Sequence, residues 1–242
     1  MRSVLLAILL LPAACSGGNR TLSTQPPSLR VGEAALEGGV PQAALSVAQR
    51  RLATNRNDLG ALLIQGRALN DMGESAKAAA SFQHAATVAP NSAPAQFGLG
   101  RALLATGQAA EAEAAFRRTL AITQDDARAL TDLGIALDLQ EKHADAQVAY
   151  RNALAAAPEL DAARVNLGLS LALAGDPAQA VNILRPLGAS PSAPRRVRHD
   201  LATALAIGGD LPGAERLLRP DLTQEQAHIA LAAYTELQAP GH

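Results

Sequence analysis

The chain is 242 residues long, 48% apolar, 18% charged and 2% aromatic, with a formal net charge of −1. That is enough to bury a core in one large domain or two small ones. The near-neutral charge excludes the basic surface that a nucleic-acid binder needs, and no apolar run reaches the roughly 20 residues of a membrane span. With five aromatics, no Trp and abundant Ala and Leu, the composition disfavours a β-sandwich and reads as helical. A single Cys leaves no internal disulfide and no Cys-based zinc site within one chain.

In chain order, Met1-Arg2-Ser3 is a short basic start and Val4 to Leu11 is an unbroken apolar run. Pro12-Ala13-Ala14 then breaks the run with small residues. This is the order of a secretory signal peptide over residues 1–14, its apolar part too short to cross a bilayer. Cys15, the only thiol, stands at the expected cleavage point. The arrangement resembles the bacterial lipobox, in which the thiol is acylated and the chain is cut just before it. Pro12 occupies the place where a lipobox usually carries Leu, with Leu11 one step further out. The resemblance implies a lipid anchor at Cys15; ordinary signal cleavage, leaving a soluble periplasmic protein, is the alternative. Residues 15–27 are polar, Gly-bearing and closed by two prolines, which predicts a flexible tether.

Beyond the tether a period of 34 residues runs through the chain. Gly32, Gly66, Gly100, Gly134 and Gly168 form one series, continued by Ala202. Ala44, Ala78, Ala112, Ala146, Ala180 and Ala214 form a second, and Ala48, Phe82, Phe116, Tyr150, Leu184 and Leu218 a third. Four residues separate the second series from the third, which places each pair on one helix face. Gly39, Gly73, Gly107, Gly175 and Gly209 punctuate the frame between two helices, with Glu141 the exception.

Leu62-x-x-Gln65-Gly66-x-x-Leu69, then Ala78-x-x-x-Phe82 and Pro90, resembles the tetratricopeptide repeat. The unit with Leu130, Leu133-Gly134, Leu137, Ala146, Tyr150 and Pro158 is closer still. The resemblance implies an all-α solenoid of about six helix pairs over residues 28–222, with a capping helix and tail over 223–242. Repeats of this kind cannot bury their apolar faces alone and gain stability by stacking. The cap opens with a Thr223-x-x-Gln226 capping box. Ile229, Ala230, Ala233, Tyr234 and Leu237 are expected to face the last unit, leaving Gln224, His228, Thr235, Gln238 and the misfit Leu231 towards water.

No constellation of residues points to an enzyme, a metal or a cofactor. Gly98-Leu99-Gly100 begins like a dinucleotide fingerprint, but Leu103 stands where the third Gly is needed and no strand precedes it. Gly168-Leu169-Ser170 mimics part of a hydrolase elbow but lies mid-helix, where Ser170 reads as a small helix residue. The five His are scattered, and Asp125-Asp126 suits helix capping.

In tetratricopeptide solenoids the first helices line a concave face that takes up partner proteins. By position this face should hold Leu63, Ile64, Arg67, Asn70 and Asp71; then Phe97, Arg101 and Leu104; then Arg128, Thr131, Asp132, Ile135 and Asp138. Val165, Asn166 and Leu169 follow, then Arg196, His199 and Asp200. Leu63, Phe97, Thr131 and Val165 stand where the carboxylate-clamp subfamily carries its first Lys, so that subfamily is excluded. The mixed apolar and arginine-bearing face suits an amphipathic or acidic protein segment.

Asn166-Leu167-Gly168-Leu169-Ser170-Leu171-Ala172-Leu173-Ala174-Gly175, Leu184-Arg185-Pro186-Leu187 and Asp200-Leu201-Ala202-Thr203-Ala204-Leu205-Ala206 resemble the TadD family. So do Asp221-Leu222 and Ala232-Ala233-Tyr234. These are tetratricopeptide lipoproteins of the Tad (tight adherence) pilus system. The resemblance implies an outer-membrane lipoprotein facing the periplasm, supporting pilus assembly through a protein partner such as the secretin. A pilotin-like repeat lipoprotein of another pilus or type II secretion system, and a general envelope adaptor or chaperone, are the alternatives.

Overall fold

The computed structural model describes residues 27–190 and 192–236; the signal segment, Cys15, Leu237 and Gln238 lie outside them. Thirteen α-helices and no strand are found among the described residues. Six helical hairpins follow one another. They are α1 (Pro27–Glu37) with α2 (Pro41–Thr54), α3 (Leu59–Asp71) with α4 (Ser75–Val88), and α5 (Ala93–Ala105) with α6 (Ala109–Ile122). Then come α7 (Ala127–Asp138) with α8 (His143–Ala156), α9 (Asp161–Leu173) with α10 (Pro177–Gly188), and α11 (Arg195–Ile207) with α12 (Leu211–Leu218). A last helix, α13 (Gln224–Glu236), closes the series. First helices from α3 on start at 59, 93, 127, 161 and 195, so the 34-residue step of the sequence is the step of the structure.

Local chemistry sets where each helix stops and starts. Gly39, Gly73, Gly107, Gly175 and Gly209 all adopt positive φ, between 69° and 89°. The left-handed residue lets the next amide turn back to the preceding helix, as in Glu74 N–H to the Leu69 carbonyl at 2.8 Å. Glu141 takes the same conformation at φ 62°, and Lys142 N–H closes onto the Leu137 carbonyl at 3.0 Å. Three first helices, α3, α5 and α7, open on side-chain caps at the same register, whereas α9 after Leu160 and α11 after Pro194 have none. Asp58 accepts from Ala61 N–H (3.0 Å), Ser92 from Ala95 N–H (3.4 Å) and Asp126 from Arg128 and Ala129 N–H (3.0 and 3.2 Å).

The second to fifth hairpins are each wedged by one large side chain against one glycine. A Cβ built on Gly66 would lie 2.7 Å from the Phe82 ring, one on Gly100 2.6 Å from Phe116, and one on Gly134 2.4 Å from Tyr150. On Gly168 it would lie 2.5 Å from Leu184. The alanine series Ala44, Ala78, Ala112, Ala146, Ala180 and Ala214 is fully buried beside these contacts. Gly98 has the same role between hairpins: its Cβ would be 2.3 Å from Phe82 of the preceding unit. Both glycines of Gly98-Leu99-Gly100 therefore make room for phenyl rings, one from each side.

The two ends depart from the pattern. In the first pair Ala48 leaves a gap, and Ile64 of the second pair fills it, its methyl 3.1 Å from where a Gly32 Cβ would sit. Ile64, expected on the concave face, is therefore fully buried. At the other end the Thr223/Gln226 capping box forms as expected, with Gln226 Oε1 accepting from Thr223 N–H and Thr223 Oγ1 from Gln226 N–H. The buried face of α13 matches the expected one at Ala230 and Tyr234 and departs from it elsewhere. Ala227 and Leu231 are buried, with Ala230 and Tyr234 packed beside them, whereas Ile229 is 65% exposed and Ala233 is exposed too. The preceding α12 is 8 residues long, against 12 to 14 in the other second helices, and Ala227 and Leu231, four residues apart, form the one stripe that is buried at this end. Arg198 ties this end together, donating twice to Asp221 at 2.7 Å and holding its carboxyl below the usual range.

Candidate functional site: the concave face

Successive first helices touch one another along the whole stack, whereas no second helix touches the next second helix. A stack closer-packed on one side curves towards that side, so α3, α5, α7, α9 and α11 line the concave face.

Its N-terminal half is cationic and aromatic. Arg67, Arg101 and Arg128 have side chains 49%, 57% and 73% exposed. Arg67 is held by Glu33, whereas Arg101 meets Asp132 only at 3.8 Å and Arg128 meets Asp126 only at 3.8 Å. The Arg128 guanidinium lies over Phe97, 5.4 Å from the ring centroid, and Phe97 in turn tilts against Phe116 at 6.0 Å. Half-buried Leu63, Asn70, Leu104, Ile135, Asn166 and Leu169 continue the surface between them. Thr131 and Val165 do not belong to it as accessible groups. They are 4% and 7% exposed, and the Thr131 hydroxyl donates back to the Ala127 carbonyl at 2.7 Å.

Two carboxylates, Asp132 of α7 and Asp200 of α11, are more deeply set, with side chains 21% and 15% exposed. Burial pushes the Asp132 carboxyl up to about 6, against the pull of Arg101 and Arg128. Asp200 is raised for the same first reason; Arg196 approaches it only to 3.9 Å, and its Oδ2 has no hydrogen-bond donor. Asp138 is the meeting point of two repeats. It accepts from Tyr150 OH at 2.9 Å and from Ser170 Oγ at 2.7 Å, and lies 2.8 Å from His143 Nδ1. Burial, then the Asp138 charge, raises the Tyr150 phenol, which stays protonated as donor.

Ser170 thus does more than a small helix residue: it links α9 to α7 from a fully buried position. Its hydroxyl proton points at a carboxylate and no imidazole among the described residues hydrogen-bonds its oxygen, so the arrangement reads as a structural bond. Sequence reasoning missed this node because Asp138, His143, Tyr150 and Ser170 carry no motif. The one available signal was polar residues at 138 and 170 on helix faces otherwise apolar. Among the described residues no group of three or more His, Cys, Asp or Glu is placed to hold a metal.

Tetratricopeptide-repeat models match residues 69–131, 131–194 and 195–220, which together span more than half of the chain. No curated protein matches the sequence. Among solved structures, PilW, a widely conserved type IV pilus biogenesis factor, superposes with a TM-score of 0.73 at 19% identity, over 84% of this chain and 96% of PilW. MamA from Desulfovibrio magneticus RS-1 superposes with a TM-score of 0.61 at 24% identity, over 66% of this chain and 93% of that one. YrrB, a tetratricopeptide protein with an unusual peptide-binding site, does so with a TM-score of 0.60 at 17% identity, over 78% and 97%. With the 34-residue hairpin, the glycine–aromatic wedge and the left-handed turn all in register, the chain belongs to the tetratricopeptide-repeat family.

Proposed function

We propose that the chain is a non-enzymatic, periplasm-facing scaffold lipoprotein that supports Tad (Flp) pilus assembly by binding a segment of a protein partner, such as the secretin. The observation that carries this reading is the open concave face, where Arg101 and Arg128 flank Phe97 without a close carboxylate partner. Such a face complements an acidic, amphipathic segment: the apolar side chains rest on Phe97, Ile135 and Leu169 while carboxylates meet the guanidinium groups. Tetratricopeptide proteins are interaction scaffolds, and YrrB, with its peptide-binding site, uses the same fold. The pilus assignment rests on the stretches around Asn166–Gly175, Leu184–Leu187 and Asp200–Ala206, and the anchor on Cys15. A second reading, a repeat lipoprotein of a type IV pilus system, is favoured by the fold shared with PilW.

The test is co-precipitation of the secretin from cells that assemble the pilus, using the full chain and the double variant Arg101→Glu/Arg128→Glu. The variant should recover at least tenfold less secretin with unchanged helicity, and the wild-type complex should weaken with salt, because exposed charges are screened over ~10 Å at 0.1 M. Equal recovery would move the site off the concave face. Recovery of a type IV pilus secretin in place of the Tad secretin would select the second reading.

A further inference from the structure

Among the described residues, nothing covers the N-terminal end of the stack, which carries its own chemistry. Ser28 and Val31 of α1, with Val47, Arg50, Arg51 and Thr54 of α2, line one depression of about 290 Å³. Helices α1 and α2 pack only on each other and on α3, so no described element covers this side. At the other end α13 seals the last pair. The depression is amphipathic. Val31 is 59% exposed and supplies apolar surface beside the two arginines. Arg50 makes no ion pair or side-chain hydrogen bond among the described residues. Arg51 is paired through its Nε with Asp58 at 2.6 Å, and its side chain remains 38% exposed. Two guanidinium groups and a serine hydroxyl above a valine floor match a phosphodiester attached to a glyceride, where charge and apolar surface meet within a few ångströms.

The chain itself says where such a surface would be met. Eleven residues separate Cys15 from Pro27, so twelve residue steps, at most about 40 Å of extended chain, join the thiol to the start of α1. Ser28, on the rim of the depression, is the next residue. A chain held at Cys15 therefore brings this end of the solenoid to the bilayer at high effective concentration, at which weak contacts suffice.

We infer that the outer face of the first helix pair, centred on Val31, Arg50 and Arg51, docks on anionic lipid headgroups of the membrane in which the chain is anchored. This rests on the lipoprotein reading for its location but not for its chemistry. Docking by this end stands the stack upright, so that the concave face runs away from the bilayer towards the partner.

The experiment uses the full chain carrying Cys15→Ser, so that no acyl group contributes, and co-sedimentation with vesicles of phosphatidylcholine alone or mixed with phosphatidylglycerol. The protein should pellet with the anionic vesicles and not with the neutral ones. Arg50→Glu should reduce that partitioning about fivefold or more, following ~1 kcal/mol for each basic residue at an anionic surface. Val31→Asp should lower it as well, whereas Arg151→Glu, an exposed arginine on α8, should not. Thermal melts of the four proteins check that all are folded. Equal pelleting with both vesicle types, or binding indifferent to Arg50→Glu and Val31→Asp, would overturn the docking surface. Acylation is scored separately, by palmitate labelling of the wild-type chain in cells. A labelled chain whose Cys15→Ser form ignores phosphatidylglycerol sinks the docking and spares the anchor; an unlabelled chain whose Cys15→Ser form binds it does the reverse.

Discussion

In the second and third helix pairs a phenyl ring, Phe82 or Phe116, fills the space above a glycine, and the surroundings are apolar. In the fourth pair the ring is Tyr150, and its hydroxyl meets Asp138, which also accepts from Ser170 of the fifth pair and lies beside His143. The fourth pair differs again at its turn, where Glu141 holds the left-handed conformation that glycine holds in the others. A left-handed non-glycine residue costs roughly 1–2 kcal/mol. The third pair supplies the compensation. Its buried Glu113 accepts from Gln140 Nε2 at 2.8 Å and from Lys142 Nζ at 3.0 Å, gripping the residues on both sides of Glu141. Burial alone would raise the Glu113 carboxyl, but these donors and Arg117 hold it below its ordinary value. A unit of a solenoid departs from its own rule where a neighbouring unit secures the departure.

Six substitutions probe this contrast. The largest effect is expected at the wedge that all these pairs share. Gly134→Leu drives a side chain into the Tyr150 ring and should cost about 3 kcal/mol, the upper end of overpacking, as should Gly66→Leu against Phe82. Urea melts showing wild-type stability for either variant would contradict the wedge. Asp138→Ala should cost about 2–3 kcal/mol, because it strands the buried Tyr150 and Ser170 hydroxyls together. Tyr150→Phe, which removes one donor and leaves Asp138 its other partners, should cost about 1 kcal/mol. Equal losses for the two would mean that Asp138 does not join the repeats.

A third effect depends on pH. Folding raises Asp132 from the ordinary aspartate value of 3.8 to about 6, so the folded chain binds more protons than the unfolded chain between these values. Stability then falls as pH rises through that window. Asp132→Asn should be ~1–2 kcal/mol more stable than wild type above pH 6 and converge with it below pH 4. Asp200, raised by the same cause, leaves a slope of the same sign in the variant. An unchanged pH profile would show that the Asp132 carboxylate ionises without cost. The smallest effect is Glu141→Gly, which should stabilise by ~0.5–1 kcal/mol, read as a rise in melting temperature. A fall would show that the Glu113 grip needs the glutamate stem in place.

Period, helix pairing and the positions of glycine, alanine and aromatic residues were legible in the sequence because each repeats a steric requirement at a fixed spacing. The exception at Glu141 was legible as a break in a series; its support by Glu113 was not, since the contacts with Gln140 and Lys142 cross 27 and 29 residues between non-repeating side chains. On the concave face Arg67, Arg101, Arg128 and Phe97 lie where register places them. Ile64, Thr131 and Val165 do not remain accessible, because the close approach of successive first helices covers part of every helix face, and which part depends on the neighbour's side chain.

The sequence by itself determined the repeat, its length, its turns and its wedges: these follow from backbone conformation and from volumes within one hairpin, which recur at every 34th residue. Only the tertiary structure decided how hairpins lean on each other. That includes the seating of α13 on Ala227 and Leu231, the filling of the first pair by Ile64, the meeting of two repeats at Asp138, and the depression at Val31, Arg50 and Arg51. These depend on contacts between different units, where each side chain answers to a partner that the period does not specify.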